Sequence, residues 1–429
     1  MMQAYVEEGM EDEAIFDVFV RRLPATRNYL VACGLEDVLA FAETVRFDQR
    51  ALEYLEAKGI FFQRFLDYLS RFQFTGDVSA LLEGTPAFAY EPLLEIAAPL
   101  PQAQLLETFI LNQIGTETSL ASKAARVVAA ARGKTVIDFA LRRMQGIDAG
   151  VKGARAFSIA GVAATSNVAA GQVYGLPIAG TMAHSYIQAH DDEKEALRRF
   201  ASMYPNTTLL VDTYDTLRGV HHVVELAREL GPAFRVSAIR LDSGDLMDLA
   251  YRARKLLDDA GLAAVKIFVS GGLEERSIAT LVDGGAPVDA FGVGTEMGVS
   301  SDAPTLEIVY KLVSYAGVDR VKLSPGKPVL PGRKQVYREL DGEGAVRDVL
   351  ARDDERLDGR PLLIEVMKRG KRLFPAEPLD TIRRRAAIEI SRLPSPIRGL
   401  LPAEPSYRVD ISPALQQRYD RAARLHHVD

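Results

Sequence analysis

The hydrophobic pattern changes character along the chain. Residues 1–8 already read as the inside of a helix with no capping residue before it, so a further segment is expected upstream. Residues 14–20 and 28–33 are rich in β-branched and aromatic side chains and read as strands. From 35 to about 72 apolar positions recur every three or four residues, as at Leu35, Val38, Leu39 and Ala42, which predicts helices. Residues 78–96 return to short strands punctuated by Gly84, Pro86 and Pro92. This first quarter reads as an α+β domain.

From Gln104 onward the rhythm is different. Residues 105–114 and 118–131 predict two amphipathic helices, the second alanine-rich. Short, wholly apolar strands then alternate with helices. The strands are predicted at 135–139, 156–160, 177–180, 208–212, 238–242, 266–270 and 290–293, with a helix ending before Lys152 and another opening at Thr165-Ser166-Asn167. Strands apolar throughout belong to a parallel sheet covered on both faces. Their number and spacing point to a (β/α) barrel more than to an open sheet. Residues 306–315 and 320–323 read as closing strands, and Lys322 to Lys327 as a basic turn. A further strand follows Pro331-Gly332-Arg333-Lys334-Gln335, and 338–375 reads as surface strands and turns. Residues 379–392 form a basic helix ended by Pro394, and one last short helix follows 403. The expected organisation is an N-terminal α+β domain at 1–100 completed by strands from 318–375, a catalytic barrel at 101–317 and a helical C-terminal region at 376–429.

If these strands are parallel, their C-terminal ends share one face, where ligands sit in such folds. The exit at Leu176 to Ser185 delivers His184 and Ser185 after a glycine and a threonine. Taken alone, His184 is as well explained by local hydrogen bonds at a barrel rim. Phe139, Arg142 and Arg143 could stack a flat ring and clamp a carboxylate or phosphate, or form a solvated basic turn. Thr165, Ser166 and Asn167 offer short side chains at a helix start, an anion cradle or only a cap. Val211-Asp212-Thr213-Tyr214-Asp215 sets two acids around an aromatic.

Arg240 and Asp242 alternate on one strand and so face the same way, with Asp245 in the turn that follows. A buried pair of this kind needs mutual compensation or a ligand, and the acids suit ribose hydroxyls or a magnesium-bound polyphosphate. The last two exits, Ser270-Gly271-Gly272 and Gly292-Val293-Gly294-Thr295, are both glycine turns before helix starts. Loops after the final strands of a barrel often hold a phosphate with backbone N–H groups. Together these parts suit transfer of a phosphosugar onto a small anionic aromatic acceptor.

Bulk composition narrows the class. The 429 residues are 48% apolar and 26% charged with a net charge of −6, which leaves no basic footprint for nucleic acid. No run approaches the ~18 apolar residues of a membrane span. The one cysteine, Cys33, excludes an intrachain disulfide framework and a cysteine-based zinc cluster, so a cytoplasmic location is expected.

Several of these motifs, read together, resemble the signature set of the nicotinate phosphoribosyltransferase family. They are Gly180-Thr181-Met182-Ala183-His184-Ser185, Ile239 through Asp245, Lys266 through Gly272 and Phe291-Gly292-Val293-Gly294-Thr295. Val211 through Asp215 and Pro331 through Gln335 fit as well, and the resemblance runs in unbroken order from Met1 to about Tyr337. It implies an α/β fold, the irregular (β/α) barrel of type II phosphoribosyltransferases with an N-terminal α+β domain. It also implies synthesis of nicotinate mononucleotide and pyrophosphate from nicotinate and phosphoribosyl pyrophosphate in NAD salvage. The expected auxiliaries are Mg²⁺ and ATP hydrolysis, in a homodimer with active sites at its interface.

By the same resemblance His184 is the histidine transiently phosphorylated by ATP, with Arg240 and Asp242 contacting the base and ribose. Phe139 stacks the pyridine ring beside Arg142, and Thr165, Ser166, Ser185 and Asp245 complete the substrate site. Ser270, Gly271, Gly272, Gly292, Gly294 and Thr295 hold the 5-phosphate. Two departures stand out. Family members usually begin with a Thr-Asp-x-Tyr segment before the position of Met1-Met2, and Gly161-Val162-Ala163-Ala164 replaces the more usual Gly-Phe-Asp-Gly. A nicotinamide-preferring enzyme and a non-catalytic nucleotide-binding homologue remain as alternatives. Against the first, the loop Thr165-Ser166-Asn167 has no acid to accept an amide N–H₂.

Overall fold

A computed structural model of the chain describes residues 1–324 and 329–425. Part of the expected basic turn, at 325–327, lies outside the described residues. The chain divides into two compact units, Met1–Ser122 with Thr305–Asp429, and Lys123–Pro304. No described helix is long and apolar enough to cross a membrane.

The first unit is built on a seven-stranded antiparallel sheet. Its central strands Glu13–Val20 and Pro92–Pro99 are buried along nearly their whole length. Ile308–Tyr315 pairs with Glu13–Val20, and Leu363–Lys368 pairs with Asp77–Leu81. Residues 306–315, expected to close the barrel, therefore belong to this sheet, and 320–323 form no strand. A four-stranded sheet holds Lys334–Asp341 and Gly344–Arg352, joined in parallel by Arg408–Ile411. The C-terminal helices Leu379–Arg392 and Pro413–Arg424 fall within the same unit rather than forming a region of their own.

One 31-residue helix, Leu100–Ala130, replaces the two expected. Its sequence contains no interior proline. At Gly115 an added Cβ would come within 3.3 Å of Ile308 Cγ2, so the glycine marks close packing and not a break.

The second unit is a six-stranded parallel sheet. Its strands are β1 (Thr135–Asp138), β2 (Ala164–Thr165), β3 (Thr208–Leu210), β4 (Ala238–Leu241), β5 (Lys266–Val269) and β6 (Ala290–Val293), in the order β2-β1-β6-β5-β4-β3. Leu209, Ile239, Leu241, Ile267, Val269, Phe291 and Val293 are fully buried, the apolar run that parallel strands require.

Residues 156–160 are not a strand but the end of the helix Ile147–Ile159. The helix is buried from Gly153 to Ile159, and within 156–160 only Ser158 is polar, so that short apolar stretch does not by itself reveal the helical period. Residues 177–180 form only a single bridge, Thr165 to Ile178. Pro177 has no N–H to extend a ladder. On the opposite edge the Leu210 N–H points at Met182 Sδ, 3.4 Å away. The stretch from Ile178 to Met182 thus spans the gap between the two edge strands, which makes the barrel irregular.

Candidate active site

Strand pairing places the chemistry. Arg240 on β4 lies between Leu210 on β3 and Phe268 on β5 in register. Its neighbours Ile239 and Leu241 point into the sheet's covered face, so the Arg240 side chain projects to the other side. There a cavity of about 580 Å³ is lined by Phe139, Arg142, Ser166, Thr181, His184, Arg240 and Asp242, with Leu141, Ile147 and Met182 as apolar walls.

Arg240 is the hub. Its Nε donates to Ser270 Oγ at 2.7 Å, Nη1 to Thr181 Oγ1 at 2.7 Å and Nη2 to Asp242 Oδ1 at 2.6 Å. Its guanidinium lies 5.4 Å from the Phe139 ring centre, within cation–π range. Ser270 also donates to Asp242 Oδ1. Burial by itself would push the Asp242 carboxyl up. The Ser270 hydrogen bond and the Arg240 charge outweigh it and hold Asp242 below the usual carboxylate range, so it is ionised.

His184 opens the short helix His184–Gln188. Its Nδ1 is 3.2 Å from Thr213 Oγ1 and its Nε2 is 3.7 Å from Asp242 Oδ2, with the side chain 41% exposed. Behind it, Asp212 Oδ2 accepts from the Asp242 N–H and from Ser243 Oγ, both at 2.8 Å. Asp212 Oδ1 is buried with no hydrogen-bond partner.

The Phe139 ring meets Phe268 edge-on at 5.8 Å, above Gly292. A Cβ on Gly292 would stand 2.7 Å from Phe139 Cε2 and 2.8 Å from Phe268 Cζ. Gly292, expected to bind phosphate, also leaves the room in which the two rings sit. The turn after β5 is constrained more tightly still. Gly271 has φ +95°, and a Cβ there would lie 1.8 Å from the Asp242 carbonyl oxygen. Gly272 is exposed, at φ +62° with open space around it, while Gly294 precedes the short helix Thr295–Gly298 and Thr295 is exposed.

Six of the expected residues, Phe139, Arg142, Ser166, His184, Arg240 and Asp242, therefore line one cavity. Others serve the fold locally. Thr165 is buried and donates to Asp138 Oδ2 at 2.6 Å. Asp245 caps the helix Leu246–Asp259, accepting from Met247 and Asp248 N–H groups at 3.1 Å. Ser185 is exposed on its helix and does not line the cavity. Three contributors were not singled out individually from sequence: Thr181, Thr213 and Asp212. The first two are partners of Arg240 and His184 across the sheet, a relation that no local spacing reveals.

Residues 1–115 match the family model of the nicotinate phosphoribosyltransferase N-terminal domain, and 120–308 match that of the quinolinate phosphoribosyl transferase C-terminal domain. The nicotinate phosphoribosyltransferase pncB2 of Mycobacterium tuberculosis is 50% identical over 430 residues, covering 100% of this chain and 92% of the relative. The chain belongs to the nicotinate phosphoribosyltransferase family. The Bacillus subtilis nicotinate phosphoribosyltransferase is 39% identical, covering 85% of this chain and 76% of the relative. The crystal structure of human nicotinic acid phosphoribosyltransferase superposes with a TM-score of 0.87 at 28% identity, covering 98% of both chains. The irregular barrel with its N-terminal α+β unit is thus the architecture of the nicotinate phosphoribosyltransferase family, as the motifs implied.

Proposed function

We propose that the protein joins nicotinate to the phosphoribosyl group of phosphoribosyl pyrophosphate, releasing pyrophosphate and forming nicotinate mononucleotide, a step of NAD salvage. The observation that carries this reading is the three-way anchoring of Arg240 beside Phe139, in the cavity that also holds Arg142, Asp242 and His184. A flat, negatively charged acceptor suits it: Phe139 offers a ring face and the two arginines offer charge to a carboxylate.

Displacement at the anomeric carbon builds positive charge on the ribose and negative charge on the departing pyrophosphate. Ionised Asp242 suits the first, and the backbone N–H groups of the turns at Gly271-Gly272 and Gly294-Thr295 suit the 5-phosphate. Mg²⁺ bound with the substrate would neutralise the pyrophosphate, and the Asp242 carboxylate with the unpartnered Asp212 Oδ1 fits such an ion. His184 is the phosphoryl acceptor in this reading. Its ring, held at Nδ1 by Thr213 and partly exposed, takes the γ-phosphoryl of ATP with release of ADP, and hydrolysis to phosphate restores it. The protein acts in the cytoplasm as a homodimer with its active sites at the interface.

The experiment is to supply phosphoribosyl pyrophosphate, Mg²⁺ and ATP with nicotinate, nicotinamide or quinolinate in turn. Mononucleotide is expected from nicotinate alone. Product from nicotinamide and none from nicotinate overturns the assignment. His184→Ala is expected to lose ATP stimulation while keeping slow transfer, and full ATP stimulation in that variant would refute the phosphohistidine.

A further inference from the structure

A set of four charged side chains, three of them buried, lies in the barrel unit outside the cavity. Lys123, near the end of the helix Leu100–Ala130, has a fully buried side chain. Its Nζ is 2.6 Å from Glu275 Oε2 and 3.2 Å from Asp302 Oδ1. Arg126 donates from Nε to Glu275 Oε1 at 2.9 Å. Two cations face two anions, so the charges balance. Burial would raise the Glu275 carboxyl, but its bonds to Lys123 and Arg126 keep it below the ordinary range and therefore charged.

The two anions occupy telling positions. Glu275 is the first residue of the helix Glu275–Asp283, directly after the turn Gly271-Gly272-Leu273-Glu274. Asp302 follows the short helix Thr295–Gly298, which Gly294 opens. The ladder between β5 and β6 ends at Val269 and Phe291. Beyond that rung the lysine bonds the segment behind each turn.

We propose that Lys123 is a positioning residue for the phosphoribosyl substrate: its ammonium fixes the spacing of the two glycine turns by bonding the segment that follows each. The inference rests on the reading that those turns hold the 5-phosphate. Backbone N–H groups converging on a phosphate must keep their separation closely, and misplacement by about an ångström costs on the order of 10²-fold in rate. A directional ion set holds such a distance where an apolar contact would let it slide, whereas its net contribution to stability is small.

The test compares Lys123→Met, Glu275→Gln and Asp302→Asn with a turn variant, Gly272→Ala, whose added methyl meets open space but strains a backbone at φ +62° and so displaces the turn itself. Lys123→Met is expected to raise the KM for phosphoribosyl pyrophosphate by ~10-fold or more, with the KM for nicotinate changed by less than about twofold. Glu275→Gln, which keeps an acceptor for Lys123, should give a smaller rise in the same KM. A purely structural role would lower Tm without this split between substrates. If Gly272→Ala raises the phosphoribosyl pyrophosphate KM and folded Lys123→Met does not, the inference is overturned and the phosphate reading stands. If neither moves it, the phosphate reading itself fails and takes the inference with it. Should Lys123→Met not fold, Glu275→Gln and Asp302→Asn decide in the same way, an unchanged KM in both being the refuting result.

Discussion

Arg240→Gln is the substitution that tests the site most directly. The wild-type guanidinium makes hydrogen bonds of 2.6–2.7 Å to Thr181, Asp242 and Ser270 and faces the Phe139 ring. Glutamine can keep one of these donors and loses the charge. Hydrogen bonds to a charged group contribute about 1.5–3 kcal/mol each, so losing two costs about 3 kcal/mol of stability at the low end. Those bonds set where the guanidinium lies, and misplacement of such a group by about an ångström predicts a fall of ~10²-fold in kcat/KM for nicotinate. Arg240→Lys keeps the charge without the fork and should fall between the two.

Stability gives an independent readout. The folded Asp242 carboxyl is held below its unfolded value, so it stabilises the protein above about pH 3.9 and that contribution is lost as the pH falls through its folded value. Removing Arg240 shrinks that contribution. The gap in Tm between wild type and variant should be widest near neutral pH and close under acid. Steady-state assays with each substrate varied in turn, and thermal melts from pH 3 to 7, make the check. A loss below about fivefold in kcat/KM, or a Tm gap that widens under acid, would refute the reasoning.

Two predictions concern the first unit. Glu95 is buried beside Asp17, and burial followed by the Asp17 charge pushes its carboxyl up to about 8, Lys334 opposing. The folded value is raised, so its contribution is fully present below the unfolded value and lost as pH rises through about 8. Glu95→Gln should flatten the decline of the urea midpoint between about pH 5 and 8, and an unchanged slope would show another group responsible. Arg338 and Asp348 are both fully buried and share a forked ion pair, with Nη2 2.6 Å from Oδ2 and the Tyr407 hydroxyl donating to Oδ1 at 2.9 Å. Arg338→Met strands that carboxylate near Glu91 and should cost about 3–5 kcal/mol in urea unfolding, with the double variant Arg338→Met, Asp348→Leu recovering most of the loss.

The sequence by itself determined whatever depends on neighbours along the chain. The apolar runs at 208–212, 238–242, 266–270 and 290–293 appear as parallel strands, and the helix Leu379–Arg392 stands where its period and Pro394 put it. Arg240 and Asp242, two residues apart on a strand, face the same cavity because the strand period is two. Where local signals were ambiguous they misled. The buried end of a helix read as a strand at 156–160, and one long helix read as two, at 105–114 and 118–131.

Only the tertiary structure decided how the polar groups are shared. Ser270 and Thr181 reach Arg240 from 30 and 59 residues away, because strand register and the unpaired crossing from Ile178 to Met182 bring them there. The same packing assigns Thr165 to Asp138 and Asp245 to a helix cap, although each is a plausible ligand group by type. A residue's chemistry is written in its own side chain, but its availability depends on which donors and acceptors the fold sets beside it. For the Leu176 to Ser185 stretch, whose Met182 meets Leu210 and whose His184 meets Thr213, that partner list is a property of the barrel and not of the segment.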